Sequence, residues 1–283
     1  MSQDEATYPV ITVITVCFNA AAFIEQTIQS VLSQSYPHIE YVIIDGGSTD
    51  GTVEIISQYS DHLAYWHSKA DRGLAHAFNL GLGQARGNWI IFLNADDFFL
   101  NSTVIDEMVP HLRRHEDADV VFGETIITAC QQNARPLPFR KIFGQPWSWQ
   151  EFRRFPIIPH PSAFTNRRYF KRVGVFDESF RIATDYELYL RGGEKLRAHY
   201  VPVLVSGMRD GGLSQKNIIP TWKEGLRAQL LTRALPKCSA WLNFYWQIGR
   251  CFLGKLAHLV LDPLAPHITL RHRNPGERPN ILS

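Results

Sequence analysis

Several aspartates in this sequence follow apolar segments that are typical of buried strands. Asp45 ends the second such segment, Asp71 lies in the loop after the third, and Asp96 and Asp97 come just after the fourth. In open parallel sheets, ligands bind beyond the carboxyl ends of the strands. We therefore expect these carboxylates to meet at one edge of one sheet and to form part of a binding site.

The adjacent carboxylates of Asp96 and Asp97 indicate a divalent cation. Two like charges at the end of an apolar strand are costly unless a cation lies beside them. A cation such as Mn²⁺ or Mg²⁺ could bridge them to a bound diphosphate. Aspartates that cap loops are common, and each of these alone could be one. Their occurrence at three strand ends favours a binding site.

Other phosphate-binding motifs are absent from the sequence. It has no GxxxxGK[ST], which argues against a P-loop ATPase. It has no GxGxxG after the first strand, where residues 17–20 read CFNA, which argues against a dinucleotide dehydrogenase or a methyltransferase. The sequence also has no HxH or similar cluster, which argues against a dedicated zinc site. A cation is therefore the predicted means of neutralising a diphosphate.

The elements that would position these residues alternate between strand and helix. Apolar, often β-branched runs predict strands, and apolar residues at helical spacing between them predict helices. The predicted strands are Val10–Phe18, Tyr41–Ile44, Leu63–Trp66 and Trp89–Leu93, and the predicted helices are Ala21–Ser35, Thr52–Tyr59 and Leu74–Ala85. This alternation favours an α/β fold with a doubly wound, mostly parallel nucleotide-binding sheet flanked by helices.

Beyond these elements the alternation weakens. Residues 131–161 are rich in Pro, Arg and aromatic residues, and they predict loops and short elements. A break near 215–220 divides the chain into a domain of residues 1–218 and a C-terminal helical extension of residues 219–283. The other predicted elements are helices at Val104–His115, Arg167–Val173 and Asp185–Leu190 and strands at Asp119–Phe122 and His199–Val205.

The C-terminal extension is basic and aromatic. From Trp222 onward nine Lys and Arg stand against three Asp and Glu, a net charge of +6 in a chain of net charge +2. Residues 241–261 are rich in aromatic residues but carry too many polar ones to span a bilayer. This mixture predicts a helix on an anionic membrane surface. The alternative is a helix packed on the core or on a second subunit.

The remaining composition points to a cytoplasmic protein. The four cysteines are scattered, with no CxxC and no framework spacing. The polar, acidic N-terminus has no apolar secretory segment. A basic tail on a mildly acidic core argues against a nucleic-acid-binding core. We expect reduced thiols and a peripheral position on the inner face of the cell membrane.

Ordered motifs in this chain resemble those of the family 2 glycosyltransferases, which are inverting enzymes with the GT-A fold. The resemblance covers about residues 9–215. The matching segments are TVCFNA at 15–20, DGGSTDGT at 45–52, KADRGLAHAFNLGLGQARG at 69–87, FLNADD at 92–97, HPSAFTNRRYFKRVGVFDESF at 160–180, ATDYELYLR at 183–191 and VLVSGMRDGGLS at 203–214.

The resemblance implies a donor site for a nucleotide-diphosphate sugar. Asp45 would hydrogen-bond the nucleobase, and Asp71 and Arg72 would face the base or the ribose. The backbone that would wrap the base is that of Thr15, Cys17 and Asn19. The segment Asn94 to Asp97 would replace the DxD motif, with Asp96 at the ribose and the metal and Asp97 reaching the diphosphate through the metal.

The resemblance also implies an acceptor side. Asp185 would be the general base, although an aspartate at the start of a predicted helix could instead be its N-cap. His160 and Glu187 would lie nearby. His160 could orient the acceptor or a phosphate, or it could be a structural histidine between two prolines.

The sequence departs from the family pattern at a few positions. Thr184 precedes Asp185 where the family often has another acid, and Asn94 is a variant first residue of the DxD motif. His76 and Leu80 stand where Asp and Lys are frequent, so contacts from this helix to phosphate are not expected.

The leading hypothesis is a metal-dependent, inverting glycosyltransferase that uses a nucleotide-sugar donor. Its acceptor would be a glycan or a lipid-linked glycan, as in bacterial cell-surface polysaccharide assembly. The alternative is a non-catalytic subunit that binds a sugar nucleotide and docks a partner to the membrane. A nucleotidyltransferase is the third reading, but it would require a Gly-rich basic loop where residues 19–22 read NAAA.

Overall fold

A mixed sheet runs through the protein, whose computed structural model describes residues 8–128 and 139–261. Its parallel part has the spatial order β3-β2-β1-β4. The bounds of these strands are β1 (Ile11–Cys17), β2 (Ile39–Asp45), β3 (Tyr65–Ser68) and β4 (Trp89–Phe92). Every residue of β1 and β4 is buried, as expected for inner strands with both faces covered. The four strands predicted for this half are confirmed.

Parallel pairing brings the ends of three strands level. Cys17 at the end of β1 pairs with Asp45 at the end of β2, which in turn pairs with Ser68 at the end of β3. The loops that follow these strands therefore leave the sheet together. We call this place, at the carboxyl ends of β1 to β4, the strand-end edge.

Three helices cover the parallel part, and each is shorter than the sequence predicts. They are α1 (Ile24–Leu32), α2 (Thr52–Ser57) and α3 (Leu74–Gln84). Because side chains alternate along a strand, β1 contributes to two cores. Ile14 packs in a core with Phe78 of α3, and Val13 packs in another with Ile28 of α1.

The other half of the sheet continues in the order β4-β8-β6-β9-β5. β8 runs antiparallel to β4 and β6, whereas β6 and β9 are parallel. β5 pairs with β9 and β7 pairs with β6, both antiparallel. The bounds of these strands are β5 (Asp97–Phe99), β6 (Val120–Thr128), β7 (Phe139–Phe143), β8 (Ala163–Asn166) and β9 (Ala198–Arg209).

Strands β5 and β7 are not among the strands that the sequence predicts. Asp97 opens β5 and pairs with Met208 of β9, so it is part of the sheet and not of a free loop. The apolar residues Phe98 and Phe99 extend this strand. β7 lies inside the segment 131–161, where the alternation of apolar and polar residues is too weak to predict a strand. The strand forms there by pairing with β6.

The remaining helices pack around this half and form the C-terminal part. Their bounds are α4 (Val104–Arg114), α5 (Trp149–Phe152), α6 (Arg167–Val173), α7 (Thr184–Leu190), α8 (Leu213–Lys216), α9 (Ile218–Leu231) and α10 (Lys237–Leu261). α9 contacts both α7 and α10. A small apolar cluster that includes Leu226 and Phe244 joins α9 to α10. Of the helices in the described part of the chain, none has both the length and the apolar character needed to cross a membrane.

Candidate active site at the strand-end edge

Asp45 organises the loop that follows β2. Its carboxylate is fully buried and accepts hydrogen bonds from the backbone N–H of Gly47 and Ser48 at 3.0 and 2.9 Å. The hydroxyls of Ser48 and Ser68 donate to it at 2.5 and 2.6 Å. Burial by itself raises the pKa of Asp45, but these hydrogen bonds outweigh it and hold the pKa below its ordinary value. The carboxylate is therefore ionised and already well supplied with donors, and a nucleobase would have to displace one of them.

The loops after β1 and β2 are joined by side-chain to backbone hydrogen bonds. The backbone N–H of Asn19 donates to Ser48 at 2.7 Å, and the side chain of Asn19 accepts from the N–H of Thr49 at 3.0 Å. Asn19 has a positive φ of 50°, which Asn tolerates better than most residues. Asn19 thus lies at the strand-end edge beside the loop of Asp45.

Thr15 and Cys17 lie deeper than Asn19. Thr15 is fully buried within β1, and its hydroxyl is 3.0 Å from the hydroxyl of Tyr41. The thiol of Cys17 donates to Asp45 at 3.4 Å, and burial raises its pKa far above the ordinary thiol value, so it is an inert donor. Only the backbone at Cys17 and beyond reaches the edge where a base would bind.

Asp71 lies against the same edge, whereas Arg72 points away from it. Asp71 accepts a hydrogen bond from the N–H of Gly73 at 2.7 Å and packs on Gly46, where a Cβ atom would lie 2.8 Å from its Oδ2. Arg72 is 68% exposed and pairs with Glu178 at 2.7 Å. That guanidinium lowers the pKa of Glu178. The structure therefore brings Asp71 to the candidate donor site, but it engages Arg72 elsewhere.

The segment after β4 places three oxygen-bearing side chains together. Asp97 is only 1% exposed, and burial, followed by the charge of Asp96, raises its pKa well above the ordinary value. Burial also raises the pKa of Asp96. The Oδ1 atoms of Asn94 and Asp97 are buried and, among the described residues, have no hydrogen-bond partner. Unpaired buried oxygens and costly like charges are what a bound cation would relieve.

The donor set fits a hard divalent cation. Carboxylate and amide oxygens suit Mg²⁺ and Mn²⁺ better than softer metals. In the described ranges, no group of three or more His, Cys, Asp and Glu side chains could hold a metal. A cation at Asn94, Asp96 and Asp97 would therefore complete its coordination with diphosphate oxygens and water.

Arg209 at the end of β9 is a further candidate site residue, and no role is predicted for it from the sequence. It is 4% exposed, and its guanidinium donates to the backbone carbonyl of Asp96 at 2.6 Å. The same guanidinium lies 4.7 Å from the ring centre of Phe23 and 5.2 Å from that of Phe98. The segment VLVSGMRDGGLS contains this arginine, and a strand-end arginine before DGG is the signal that could have identified it.

Asp185 lies in the first turn of α7, beside His160. The Oδ2 atom of Asp185 is 3.7 Å from Nδ1 of His160, and the aspartate side chain is 26% exposed. The N-cap of α7 is Ala183 and no side chain caps it, so Asp185 does not serve as the N-cap. This carboxylate is free to contact a ligand at its exposed side.

His160 connects Asp185 to the strand-end edge. Its ring stacks on Phe92 of β4 with centroids 5.5 Å apart and also contacts Phe78. Both ring nitrogens are buried without a hydrogen-bond partner among the described residues. Burial lowers the pKa of His160, although the charge of Asp185 opposes this, so the ring is neutral near pH 7. Phe92 lies two residues before Asn94, so the candidate base and the candidate cation ligands share one region.

Glu187 does not join this group. It is 4% exposed and pairs with Arg191 at 3.0 Å on the same helix. Arg191 in turn donates to the carbonyls of Val173 and Val175 at 2.8 and 2.7 Å. Two residues along a helix rotate a side chain by about 200°, which turns Glu187 away from the face of Asp185. Its contacts are those of a structural ion pair.

Comparison with known proteins shows which family the sequence matches. The family model "Glycosyl transferase family 2" matches residues 12–174, more than half of the chain. A "PGL/p-HBAD biosynthesis glycosyltransferase" of Mycobacterium bovis is 28% identical over 212 residues, which are 73% of this chain and 79% of the relative.

Two solved structures share the fold. TarS 1–349 of S. aureus in complex with UDP-GlcNAc has a TM-score of 0.60 at 17% identity, covering 92% of this chain and 76% of that one. The mannosyltransferase PcManGT of Pyrobaculum calidifontis, in complex with GDP-Man and Mn²⁺, has a TM-score of 0.60 at 20% identity and covers 92% and 83%. With a family match over more than half its length and the fold of these enzymes, the chain belongs to glycosyl transferase family 2 and is a glycosyltransferase with a GT-A-like fold.

Proposed function

We propose that this chain transfers a sugar from a nucleoside-diphosphate donor to an acceptor hydroxyl, with inversion at the anomeric carbon and the assistance of a divalent cation. The observation that carries the proposal is the closeness of a partly exposed carboxylate, Asp185, to the end of β4. His160 lies 3.7 Å from Asp185 and stacks on Phe92, just before the segment of Asn94 to Asp97. A base and a cation-binding group in one region are what such a transfer needs.

The proposed reaction is a single displacement. Asp185 removes the proton of the acceptor hydroxyl while its oxygen forms a bond to the anomeric carbon. The bond from that carbon to the phosphate oxygen breaks, and its electron pair leaves on the nucleoside diphosphate. A bound cation would stabilise the charge that develops there. Attack and departure on opposite faces invert the configuration.

The donor loops would bind the nucleoside. Asp71, packed on Gly46, and the backbone from Cys17 to Asn19 lie at the edge where a base and ribose would bind. Asp45 would act by holding the loop of Gly47 and Ser48 in place, and a direct bond from it to the base remains part of the proposal. The nucleotide-sugar complexes of the two structural neighbours support a donor of this class.

We place the acceptor at a membrane surface, as a glycan or lipid-linked glycan of bacterial cell-surface polysaccharide assembly. On α10, Trp241, Leu242, Tyr245 and Trp246 are 45, 70, 61 and 51% exposed and recur at helical spacing. Arg250 lies 4.6 Å from the ring centre of Trp246. An apolar, aromatic stripe beside basic residues suits an anionic lipid surface. The name of the mycobacterial relative, which mentions PGL/p-HBAD biosynthesis, supports a role in assembling a glycosylated product.

The experiment that tests the donor site is a thermal-shift panel with UDP, GDP, dTDP and CMP, each with and without Mn²⁺. We expect one nucleoside diphosphate to raise the melting temperature only when Mn²⁺ is present, because a ligand that binds the folded state stabilises it. Asp96→Ala should remove the Mn²⁺-dependent part of the shift. No shift with any nucleotide would contradict the donor site.

A transfer assay distinguishes the enzyme from the alternative, a non-catalytic subunit that binds a sugar nucleotide. Asp185→Asn should keep the nucleotide shift and lose about 10²–10⁴-fold in kcat, the range of a general base. Nucleotide binding without turnover in the unmodified protein would favour the subunit. Near-normal turnover of Asp185→Asn would refute the base assignment.

A further inference from the structure

Helix α9 lies beyond the segment that the family model matches. Its side chains form hydrogen bonds to residues on both sides of Asp185. Three of its polar side chains, Glu224, Arg227 and Gln229, each form hydrogen bonds to the segment from residue 179 to residue 186. These contacts join a helix of the C-terminal part to the short helix α7 that carries Asp185.

Glu224 binds three consecutive backbone N–H groups of this segment. Its Oε2 accepts hydrogen bonds from the backbone N–H of Ile182 and Ala183 at 2.8 and 2.9 Å. Its Oε1 accepts from the N–H of Arg181 at 3.0 Å. The first N–H groups of a helix and its approach have no partner within the helix, and a carboxylate there forms strong, charge-assisted hydrogen bonds. Ala183 is the N-cap of α7 and its own side chain makes no capping hydrogen bond, so Glu224 holds the backbone from Arg181 to Ala183 that leads into the helix.

The other two side chains hold the flanks of the same segment. Arg227 donates to the carbonyl and the hydroxyl oxygen of Ser179 at 2.9 and 2.7 Å, and its guanidinium lies 4.3 Å from the ring centre of Phe180. Gln229 donates to the hydroxyl of Tyr186 at 3.1 Å. The backbone before Asp185 and the side chain of the residue after it are thereby held from one helix.

Asp185 itself has little to fix its position. In the described part of the chain its carboxylate forms no hydrogen bond, because the 3.7 Å approach to His160 is too long for one. Its interaction with Tyr189 is electrostatic only. Its placement therefore follows that of the backbone at the start of α7. A catalytic group that is misplaced by about 1 Å can lose about 10²-fold in rate.

We propose that Glu224 is a positioning residue for Asp185, holding the backbone that leads into α7 so that the carboxylate of Asp185 faces the acceptor hydroxyl. This inference rests on the proposed role of Asp185 as the base. Glu224 contacts no reacting atom in this arrangement and acts through the backbone of residues 181–183. The C-terminal part of the chain is then a working part of the catalytic site.

The first test compares Glu224→Ala and Glu224→Gln with the unmodified enzyme. The glutamine keeps one acceptor oxygen for Ile182 and Ala183 and loses the other. We expect kcat to fall about 10- to 100-fold in Glu224→Ala and by a smaller factor in Glu224→Gln. The KM for the donor and the nucleotide-induced thermal shift should change less than about twofold, since the donor loops lie on other strands.

A matched control separates this effect from a general loss of charge or stability. Glu194→Gln makes the same chemical change at an exposed glutamate for which the structure gives no side-chain contact, and it should keep kcat. If Glu224→Ala does not fold, the same comparison is made with Glu224→Gln. Unchanged kcat in the folded Glu224 variants, or an equal loss of kcat and nucleotide binding, would overturn the proposal.

A double-mutant cycle with Asp185→Asn distinguishes failure of the inference from failure of the proposed function. If Glu224 acts through Asp185, Glu224→Ala should not lower the residual rate of Asp185→Asn any further. Additive losses would overturn the positioning role while leaving Asp185 as the base. Normal turnover in Asp185→Asn would instead refute the base itself, and the positioning role with it.

Discussion

At the scale of single residues, the site contains two kinds of carboxylate. Asp45 is buried but hydrogen-bonded by the protein, and its pKa lies below the ordinary value. Asp97 is buried with one oxygen unpaired, and its pKa lies well above the ordinary value. The first has its charge stabilised by the fold, whereas the second needs a ligand to stabilise its charge. We therefore propose that Asp45 holds the donor loop and that Asp97 would contact the cation.

His160 is the residue whose role the sequence left open between site and structure. Two buried, unpaired ring nitrogens are costly in a purely structural histidine, because a phenyl ring would fill the same space without that cost. The imidazole lies close enough to Asp185 to orient its carboxylate or the acceptor. The geometry therefore favours the site role.

The variant His160→Phe tests this reading through the dependence of stability on pH. The pKa of His160 is lowered in the folded protein from the ordinary 6.5, so below pH 6.5 the unfolded chain binds a proton that the folded one does not. The unmodified protein should lose stability as the pH falls from 6.5, by at most about 1.4 kcal/mol per pH unit from this group. We expect this loss to be absent from the unfolding free energies of His160→Phe.

Activity measurements complete the test of His160. If the imidazole orients Asp185 or the acceptor, His160→Phe should lower kcat/KM for the acceptor about tenfold, while the protein remains folded and binds nucleotide. A variant with full activity would assign His160 to the core alone. An unchanged pH dependence would show that the buried ring is not held neutral.

At the scale of elements, the sequence predicted the parallel strands and their helices well, but not the rest of the sheet. Alternation of apolar strands and amphipathic helices is a local signal, and β1 to β4 carry it clearly. β5 has three residues and β7 lies in a segment rich in Pro and Arg. Such strands form because distant partners, β9 and β6, pair with them. Local patterns do not contain that information.

The same distinction explains which candidate site residues could be predicted from the sequence. Asp71, Asp96 and Asp185 occur in motifs that can be read locally. Arg209 and Glu224 reach the site only through tertiary contacts, with Asp96 and with the start of α7. The mutual position of such residues follows from packing, which the sequence does not state.

Packing of α3 on β1 gives a prediction from two glycines of one helix. A Cβ atom at Gly81 would lie 2.5 Å from Cγ2 of Ile14, whereas one at Gly83 would meet nothing within 4 Å. Gly81→Ala should lower the free energy of unfolding by about 1–3 kcal/mol through overpacking. Gly83→Ala should raise it by about 0.5–1 kcal/mol because alanine favours the helix.

Chemical denaturation of the two variants measures both effects. The pair is its own control, since the substitution and the helix are the same and only the neighbours differ. Equal stability changes in the two variants would mean that α3 does not pack on β1 through Gly81.

At the scale of the whole molecule, apolar and basic groups gather on the C-terminal helices. The division at residue 218 remains a prediction, and α9 beyond it packs on α7 while α10 leaves its aromatic stripe exposed. One face of the C-terminal helices thus packs on α7, which carries Asp185, and another face is exposed and could contact a membrane surface. If α10 lies on a membrane, an acceptor bound to that membrane would reach the enzyme from the same side.

Co-sedimentation with lipid vesicles tests this arrangement. The protein should bind vesicles that contain anionic lipid more tightly than zwitterionic ones, and less tightly as salt is added. The double variant Leu242→Ser and Tyr245→Ser should weaken binding about tenfold or more, since each apolar side chain contributes roughly 1 kcal/mol or more when buried in the interface.

The control replaces an equally exposed apolar residue elsewhere. Val175 is 50% exposed, and Val175→Ser should leave vesicle binding unchanged. Equal binding by all variants would exclude the stripe as the docking surface. A stripe that instead mediates self-association would be seen as a dimer that the double variant disrupts.

The hydrogen bonds from residues 181–183 to Glu224 have a consequence for how the enzyme is made. During translation the sheet, α7 and Asp185 all leave the ribosome before α9 does, and chains begin to fold from the N-terminus. A nascent chain can therefore complete its donor loops while the backbone before α7 still lacks its hydrogen bonds to Glu224. The enzyme would reach full activity only once α9 is added, close to the moment when the exposed aromatic stripe of α10 also emerges.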